Sequence, residues 1–384
     1  MKYTFLFLWL FLLISCMSRE NNKKPIIKIS DRENINIDIN INKVLKIPIN
    51  NSCYISDITQ ISKVMNNLII VDANKIPSVY IVDLDKNSIR ELTSKGPGPK
   101  DYIHPAFTTI DYSKKVLNVL DIGKNSIMNY SIDNNFLFIN EKKIPFNTNQ
   151  FHYINDNKII WSNTAYDKVS ELSNFKIILT DSNFIVNAKY FKKDLYNGHS
   201  FDPYKRKFYN YDNQTYFYFP FVPILYTFNE NSINEKYQFI IEGFDFPSVS
   251  FLKRISKNNR NYIPQLLESP YIFTFDIFEN KTHILIPFFT QNSFYYAVYN
   301  KNSNESNIYT SKEFEKIINI PFLSPPISVI DDNFVSVIYN IDEMKKTLEI
   351  NNKKRGLAEL KRIIENSSVD DNPILIYYTF EQRD

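Results

Sequence analysis

The strongest pattern in the chain is a series of short apolar, β-branched runs that arrive in pairs. Leu68-Ile69-Ile70-Val71-Asp72 and Val79-Tyr80-Ile81-Val82-Asp83 flank the turn-prone Ala73-Asn74-Lys75-Ile76-Pro77. Such runs, bounded by turn residues, read as a β-hairpin. The pair returns as Val116-Leu117-Asn118-Val119-Leu120-Asp121 and Ile127-Met128-Asn129-Tyr130-Ser131-Ile132-Asp133, so that Asp72 and Asp121 stand 49 positions apart and Asp83 and Asp133 stand 50. A double match at one period is an internal repeat, of the length of a four-stranded propeller blade.

More degenerate copies follow. Lys158-Ile159-Ile160-Trp161 goes with Ile177-Ile178-Leu179-Thr180-Asp181, and Tyr216-Phe217-Tyr218-Phe219 with Leu225-Tyr226-Thr227-Phe228-Asn229. His283-Ile284-Leu285-Ile286 then goes with Tyr295-Tyr296-Ala297-Val298-Tyr299-Asn300, and Phe334-Val335-Ser336-Val337-Ile338-Tyr339 with Ile374-Leu375-Ile376-Tyr377-Tyr378. The copies begin near residues 68, 116, 158, 216, 283 and 334, which makes six. The fold class expected is therefore all-β, a six-bladed β-propeller over residues 35–384. A β-sandwich also has regularly spaced strands, but it has no need of six hairpin repeats. Val44-Leu45-Lys46-Ile47 is expected to add an outer strand beside the C-terminal one, closing the ring and removing an exposed edge.

Two stretches depart from strand patterning. From Asp342 to Glu365, Met344, Leu348, Leu357, Leu360, Ile363 and Ile364 fall at helical spacing among charged residues, interrupted at Asn351-Asn352 and Gly356. This predicts one or two helices inserted in the last blade, their apolar stripe packed on the propeller. A weaker helical pattern spans Val249 to Leu267, with Pro264 expected to break or end it.

The N-terminus follows a different pattern. Lys2 precedes an unbroken apolar run from Phe5 to Ile14, then Ser15-Cys16 and the polar Ser18-Arg19-Glu20-Asn21-Asn22-Lys23-Lys24. A spanning helix needs about 20 apolar residues, so this run is too short and has the layout of a secretory signal. Leu13-Ile14-Ser15-Cys16 resembles the lipobox of bacterial lipoproteins, which implies a signal peptide over 1–15 and a mature chain starting at an acylated Cys16. Residues 16–34, polar and without periodicity, read as a flexible tether.

Composition narrows the function classes. The formal net charge is only +3, which gives no electrostatic footprint for nucleic acid. The 26 Tyr and 31 Phe supply ample core material, and their alternation in strands points to packing between blades. With Cys16 acylated, Cys53 has no intramolecular disulfide partner and is expected as a small buried residue. His104, His152, His199 and His283 show no metal-ligand spacing and are expected in turns or at the surface. The six glycines supply no phosphate-cradling loop or dinucleotide fingerprint, and no nucleophile elbow occurs. Asp72, Asp83, Asp121, Asp133 and Asp181 recur at strand ends, where an aspartate accepts backbone N–H bonds of the following turn. The other reading of these carboxylates is a central metal site.

Lys95-Gly96-Pro97-Gly98-Pro99-Lys100-Asp101-Tyr102-Ile103-His104-Pro105, followed by Thr109-Ile110-Asp111, resembles the Gly-Pro-Gly-Glu-aromatic…Pro segment of NHL-type propellers. Asp371-Asn372-Pro373-Ile374-Leu375 resembles the terminal Asp-Asn-Pro-aliphatic signature of the 6-bladed β-propeller lipoproteins of Bacteroidetes. The likeness runs over roughly residues 40–380, with Lys100 where a glycine is usual and Asp101 where a glutamate is usual. It implies a monomeric cell-envelope lipoprotein on the outer membrane, held there by its palmitate-type anchor. The expected role is binding or scaffolding, with a glycan, a peptide or another envelope protein as partner and no cofactor. The alternative is a propeller hydrolase or lactonase with a central metal.

Overall fold

The computed structural model describes residues 25–30, 37–50, 53–155, 157–162, 171–193, 208–212, 214–229, 232–256, 262–321, 323–347 and 356–382. Six antiparallel meanders follow one another along the chain. Blade 1 comprises Gln60–Val64, Asn67–Asp72, Ser78–Asp83 and Ser88–Glu91. Blade 2 comprises Pro105–Asp111, Val116–Asp121, Ser126–Ser131 and Leu137–Lys143. Blade 3 has Gln150–Asn155, Lys158–Ser162, Phe175–Asp181 and Val186–Lys192, and blade 4 has Phe208–Tyr211, Gln214–Tyr218, Ile224–Asn229 and Ser232–Ile241. Blade 5 begins with the broken pair Thr274–Phe275 and Phe278–Glu279 and continues through His283–Thr290, Ser293–Asn300 and Ser306–Thr310. Blade 6 joins Ser328–Ile330, Asn333–Ile338 and Ile374–Gln382 to Ile37–Lys46, from the other end of the chain.

The all-apolar runs are the middle strands, buried on both faces. Period-two alternation splits them between neighbours. Leu68, Ile70, Tyr80 and Val82 pack with Val335, Val337 and Leu375 of blade 6, while Ile69, Val71, Val79 and Ile81 pack with Leu117, Val119 and Tyr130 of blade 2. Every other blade junction has its own cluster of the same kind. Each buried aliphatic side chain contributes about 1.5–3 kcal/mol, so the ring is held by six apolar wedges. The expected aromatic role holds: Phe151 and Trp161 stack at 5.2 Å, and Phe217 and Tyr226 at 5.3 Å.

The ring closes as the sequence predicts, with Ile37–Lys46 antiparallel to Ile374–Gln382. The Asp-Asn-Pro signature forms the clasp. Asp371 pairs with Lys46 at 2.5 Å. Asn372, 2% exposed, accepts from Ile55 N–H at 3.1 Å and donates to the carbonyls of Pro48 at 2.7 Å and Cys53 at 3.3 Å. Cys53 is buried there.

Helices Ile341–Thr347 and Leu357–Glu365 occupy the predicted insertion, burying Met344, Leu357, Leu360 and Ile364 against blades 5 and 6. Leu348 and Asn351-Asn352 lie outside the described residues. Gly356 starts the second helix at φ +84°, and a Cβ there would meet Ile41 at 2.6 Å. Only glycine satisfies both conditions.

Three expectations need correction. Within the supposed tether, Ile26–Ile29 is a strand, parallel to Ser232–Ile241, that adds a fifth strand to blade 4. It buries Ile27 and Ile29, and Ser30 exchanges two hydrogen bonds with Ser306 of blade 5. Pro264 does not end a helix; it sits in the first turn of Tyr262–Leu267, where its missing N–H is no loss. Finally, Ser311–Ile318 is an unforeseen helix, capped by a reciprocal Thr310–Glu313 box and stacked through Phe314 on Tyr296 at 3.9 Å. No helix among the described residues is long and apolar enough to cross a membrane.

Candidate functional site: the central channel

The first strands of the blades differ in composition from the middle ones. Gln-Ile-Ser-Lys-Val in blade 1 carries polar residues because one side of it faces the ring axis rather than a neighbouring blade. Around that axis lies a cavity of about 870 Å³ lined from blades 1, 2, 3, 4 and 6.

Side chains on these strands link one blade to the next. Gln60 of blade 1 bonds the backbone of Thr108 in blade 2 through both its amide atoms, each at 2.8 Å. Thr109 Oγ1 lies 3.3 Å from His152 Nδ1 of blade 3. Asn210 of blade 4 is a further hydrogen-bond partner of His152. Burial pushes the His152 imidazole down to about 4, only partly offset by Asn210. Burial thus favours the neutral imidazole, which both donates and accepts.

Charge is nearly absent from the wall. Its only charged residues among those described are Lys63 and Asp331, which pair with each other across the junction of blades 6 and 1. His104 lines the cavity with its Nε2 3.1 Å from Ala73 O.

The histidines expected in turns or at the surface divide. His152 lines the channel, and His283 is buried at 4% exposure with its ring 5.3 Å from that of Phe380. Each fills a place between blades, which spacing alone does not reveal. Burial first, then Lys301, pushes His283 down to about 4. His199 lies outside the described residues, as does Cys16, the expected acylation site.

The recurrent aspartates stand at or just past strand ends and hold the neighbouring turns. Asp72 accepts from Ser56 N–H, Ser56 Oγ and Asp57 N–H, and Asp121 from the N–H groups of Ile103, His104, Gly123 and Lys124. In both blades the carboxylate at the end of the second strand thus fixes the chain entering the first. Asp83 and Asp181 bind N–H groups of their own turns, and Asp133 pairs with Lys115. Among the described residues, no three His, Cys, Asp or Glu side chains come together as a metal site. In the glycine-proline segment, Asp101 folds back so closely that a Cβ on Gly98 would meet its Oδ2 at 2.4 Å. Lys100 is not among the positive-φ residues, so a side chain there is accommodated.

Sequence reasoning missed the pairing of buried Glu279 with half-buried Lys301 at the wedge of blades 4 and 5. Lys301 Nζ donates to Glu279 at 2.8 Å, to Tyr211 Oη at 3.0 Å and to Asn280 O at 3.0 Å, while Tyr209 Oη donates to Glu279 at 3.2 Å.

Comparison with known proteins agrees with this architecture. A Bacteroides fragilis protein designated as exported superposes with a TM-score of 0.83 at 24% identity, covering 93% of this chain and 100% of its own. A member of the DUF4221 family from Bacteroides vulgatus reaches 0.51 at 11% identity, covering 92% and 100%. The virginiamycin B lyase of Staphylococcus aureus is distant, at 0.38 and 12% identity, with 78% and 81% covered. No curated protein sequence matches. A family match over residues 16–354 decides the relationship: the chain belongs to the DUF5128 family of 6-bladed β-propellers.

Proposed function

We propose that this protein is an envelope lipoprotein, anchored at the outer membrane through acylated Cys16, whose propeller binds a ligand in its central channel. The channel carries the reading: about 870 Å³ of space faced by hydrogen-bonding side chains, within the roughly 300–1,000 Å³ usual for small-molecule sites. The aspartates that a propeller hydrolase would aim at a central metal are engaged in turns instead. The anchor is supported by the Leu13-Ile14-Ser15-Cys16 tetrad, by the family match beginning at residue 16, and by a structural neighbour designated as exported.

Two experiments test the two halves. Metabolic labelling with a palmitate analogue marks the native chain and not Cys16→Ala; label that persists in the variant removes the anchor. Ala106 lines the channel, so Ala106→Trp projects an indole into it and obstructs it. A ligand found by thermal-shift screening that binds Ala106→Trp unchanged places the binding elsewhere and ends the channel reading.

A further inference from the structure

We infer that the sector between blades 1 and 4 takes a small, uncharged, hydroxyl-rich molecule, a short neutral oligosaccharide, with Thr109, His152 and Asn210 as its polar contacts. This assignment of a ligand class rests on the channel being the binding site.

Charge argues first. Lys63 and Asp331 neutralise each other, and no other charged side chain faces the cavity among the described residues. An ionic ligand would lose its hydration and find no counter-charge. An apolar ligand fares no better, because it would strip water from Ser62, Asn210, His152 and Ser328 without replacing those bonds.

The remaining class is one whose groups both donate and accept. Hydroxyls, amides and a neutral imidazole do both, and so do sugar hydroxyls. The same wall includes Ala106, Ile110 and Val329, apolar positions suited to the C–H faces of a pyranose ring. Tyr112, 68% exposed, adds an aromatic face at the rim.

An extended peptide is the competing neutral ligand. Its usual route is to add a strand to a free sheet edge. Here the inward edge of blade 2 is closed at its centre, because Gln60 occupies both the N–H and the C=O of Thr108.

The test is isothermal titration calorimetry on the full chain, purified from membranes in a detergent without sugar headgroups. The probes are neutral hexaoses of glucose, mannose and xylose, an oligogalacturonate and an uncharged hexapeptide. A neutral hexaose binds one to one, and Asn210→Ala and His152→Phe each weaken it by about tenfold or more. Thermal melts confirm that both variants fold, and Thr109→Val serves if His152→Phe does not. Binding confined to the oligogalacturonate or the peptide, binding unmoved by these variants, or no binding by any neutral hexaose overturns the inference. If a charged probe or the peptide binds and Ala106→Trp abolishes that binding, the channel reading survives while the ligand class falls.

Discussion

Gln60 and Thr108 are joined as though they were neighbouring strand residues, although one is a side chain and the other a backbone. Gln60 Nε2 donates to Thr108 O and Gln60 Oε1 accepts from Thr108 N–H, both at 2.8 Å, with Thr108 Oγ1 adding a third contact at 3.2 Å. Gln60→Ala leaves the N–H and C=O of Thr108, a buried residue, without this partner. The expected loss is about 2 kcal/mol, read as a lower urea midpoint with an unchanged slope. Gln60→Glu keeps the acceptor but sets an oxygen against Thr108 O, and it is expected to lose more than Gln60→Ala at neutral pH.

The Glu279–Lys301 pair makes a second prediction. Glu279 is 3% exposed, so Lys301→Met strands a buried carboxylate and destabilises by about 3–5 kcal/mol. Glu279→Leu combined with Lys301→Met removes both charges and is expected to recover most of that loss. A double-mutant cycle by chemical denaturation measures the difference.

Stability should fall with acid before the carboxylates titrate. His283 has its folded pKa lowered to about 4 against about 6.5 in the unfolded chain. Between those values the unfolded state binds more protons, so stability rises with pH through this window and is lost as pH drops through it. The full effect of His283 is on the order of 3 kcal/mol, and His152, also lowered to about 4, acts in the same direction. Denaturation at about pH 7 and about pH 4.5 measures the slope, and His283→Gln flattens it.

The clasp contributes a further loss below that window. Burial alone would raise the Asp371 carboxyl, but the Lys46 ammonium and the Ser368 N–H outweigh it and hold it below the ordinary carboxylate range. Its stabilisation is present above the unfolded value of about 3.9 and disappears as pH falls through the lower folded value. Asn372→Ala, which removes three bonds of a buried side chain at once, is expected to destabilise by about 3 kcal/mol. Limited proteolysis of that variant releases the C-terminal strand first.

The propeller was legible because its middle strands are buried on both sides and so appear as unbroken apolar runs such as Leu68–Val71 and Leu285–Ile286. The first and fourth strands were not: Leu137–Lys143 is mostly exposed, and the first strands mix polar with apolar residues because they face the channel. The candidate site lies on those first strands. Gln60, Thr109, His152 and Asn210 come from four blades; only Gln60 and Thr109 stand at the 49-residue period, and differing residue types there mark no set. Ile26–Ile29 is a strand only because Gln238–Ile241 waits far downstream. The Thr310–Glu313 capping box, by contrast, was readable as Thr-x-x-Glu, and Asp371-Asn372-Pro373 was visible as a signature before its bonds explained it.

Ring closure also sets an order of events. Pro48 and Asn372, bonded in the clasp, are 324 positions apart. At the usual rate of about 5–20 residues per second, a ribosome needs roughly 15 to 65 s to pass from one to the other. Throughout that interval Ile37–Lys46 is an open strand with no mate, the kind of edge on which chains aggregate. One of the first strands made is among the last to be paired, and until then the protein depends on whatever in its surroundings keeps that edge covered.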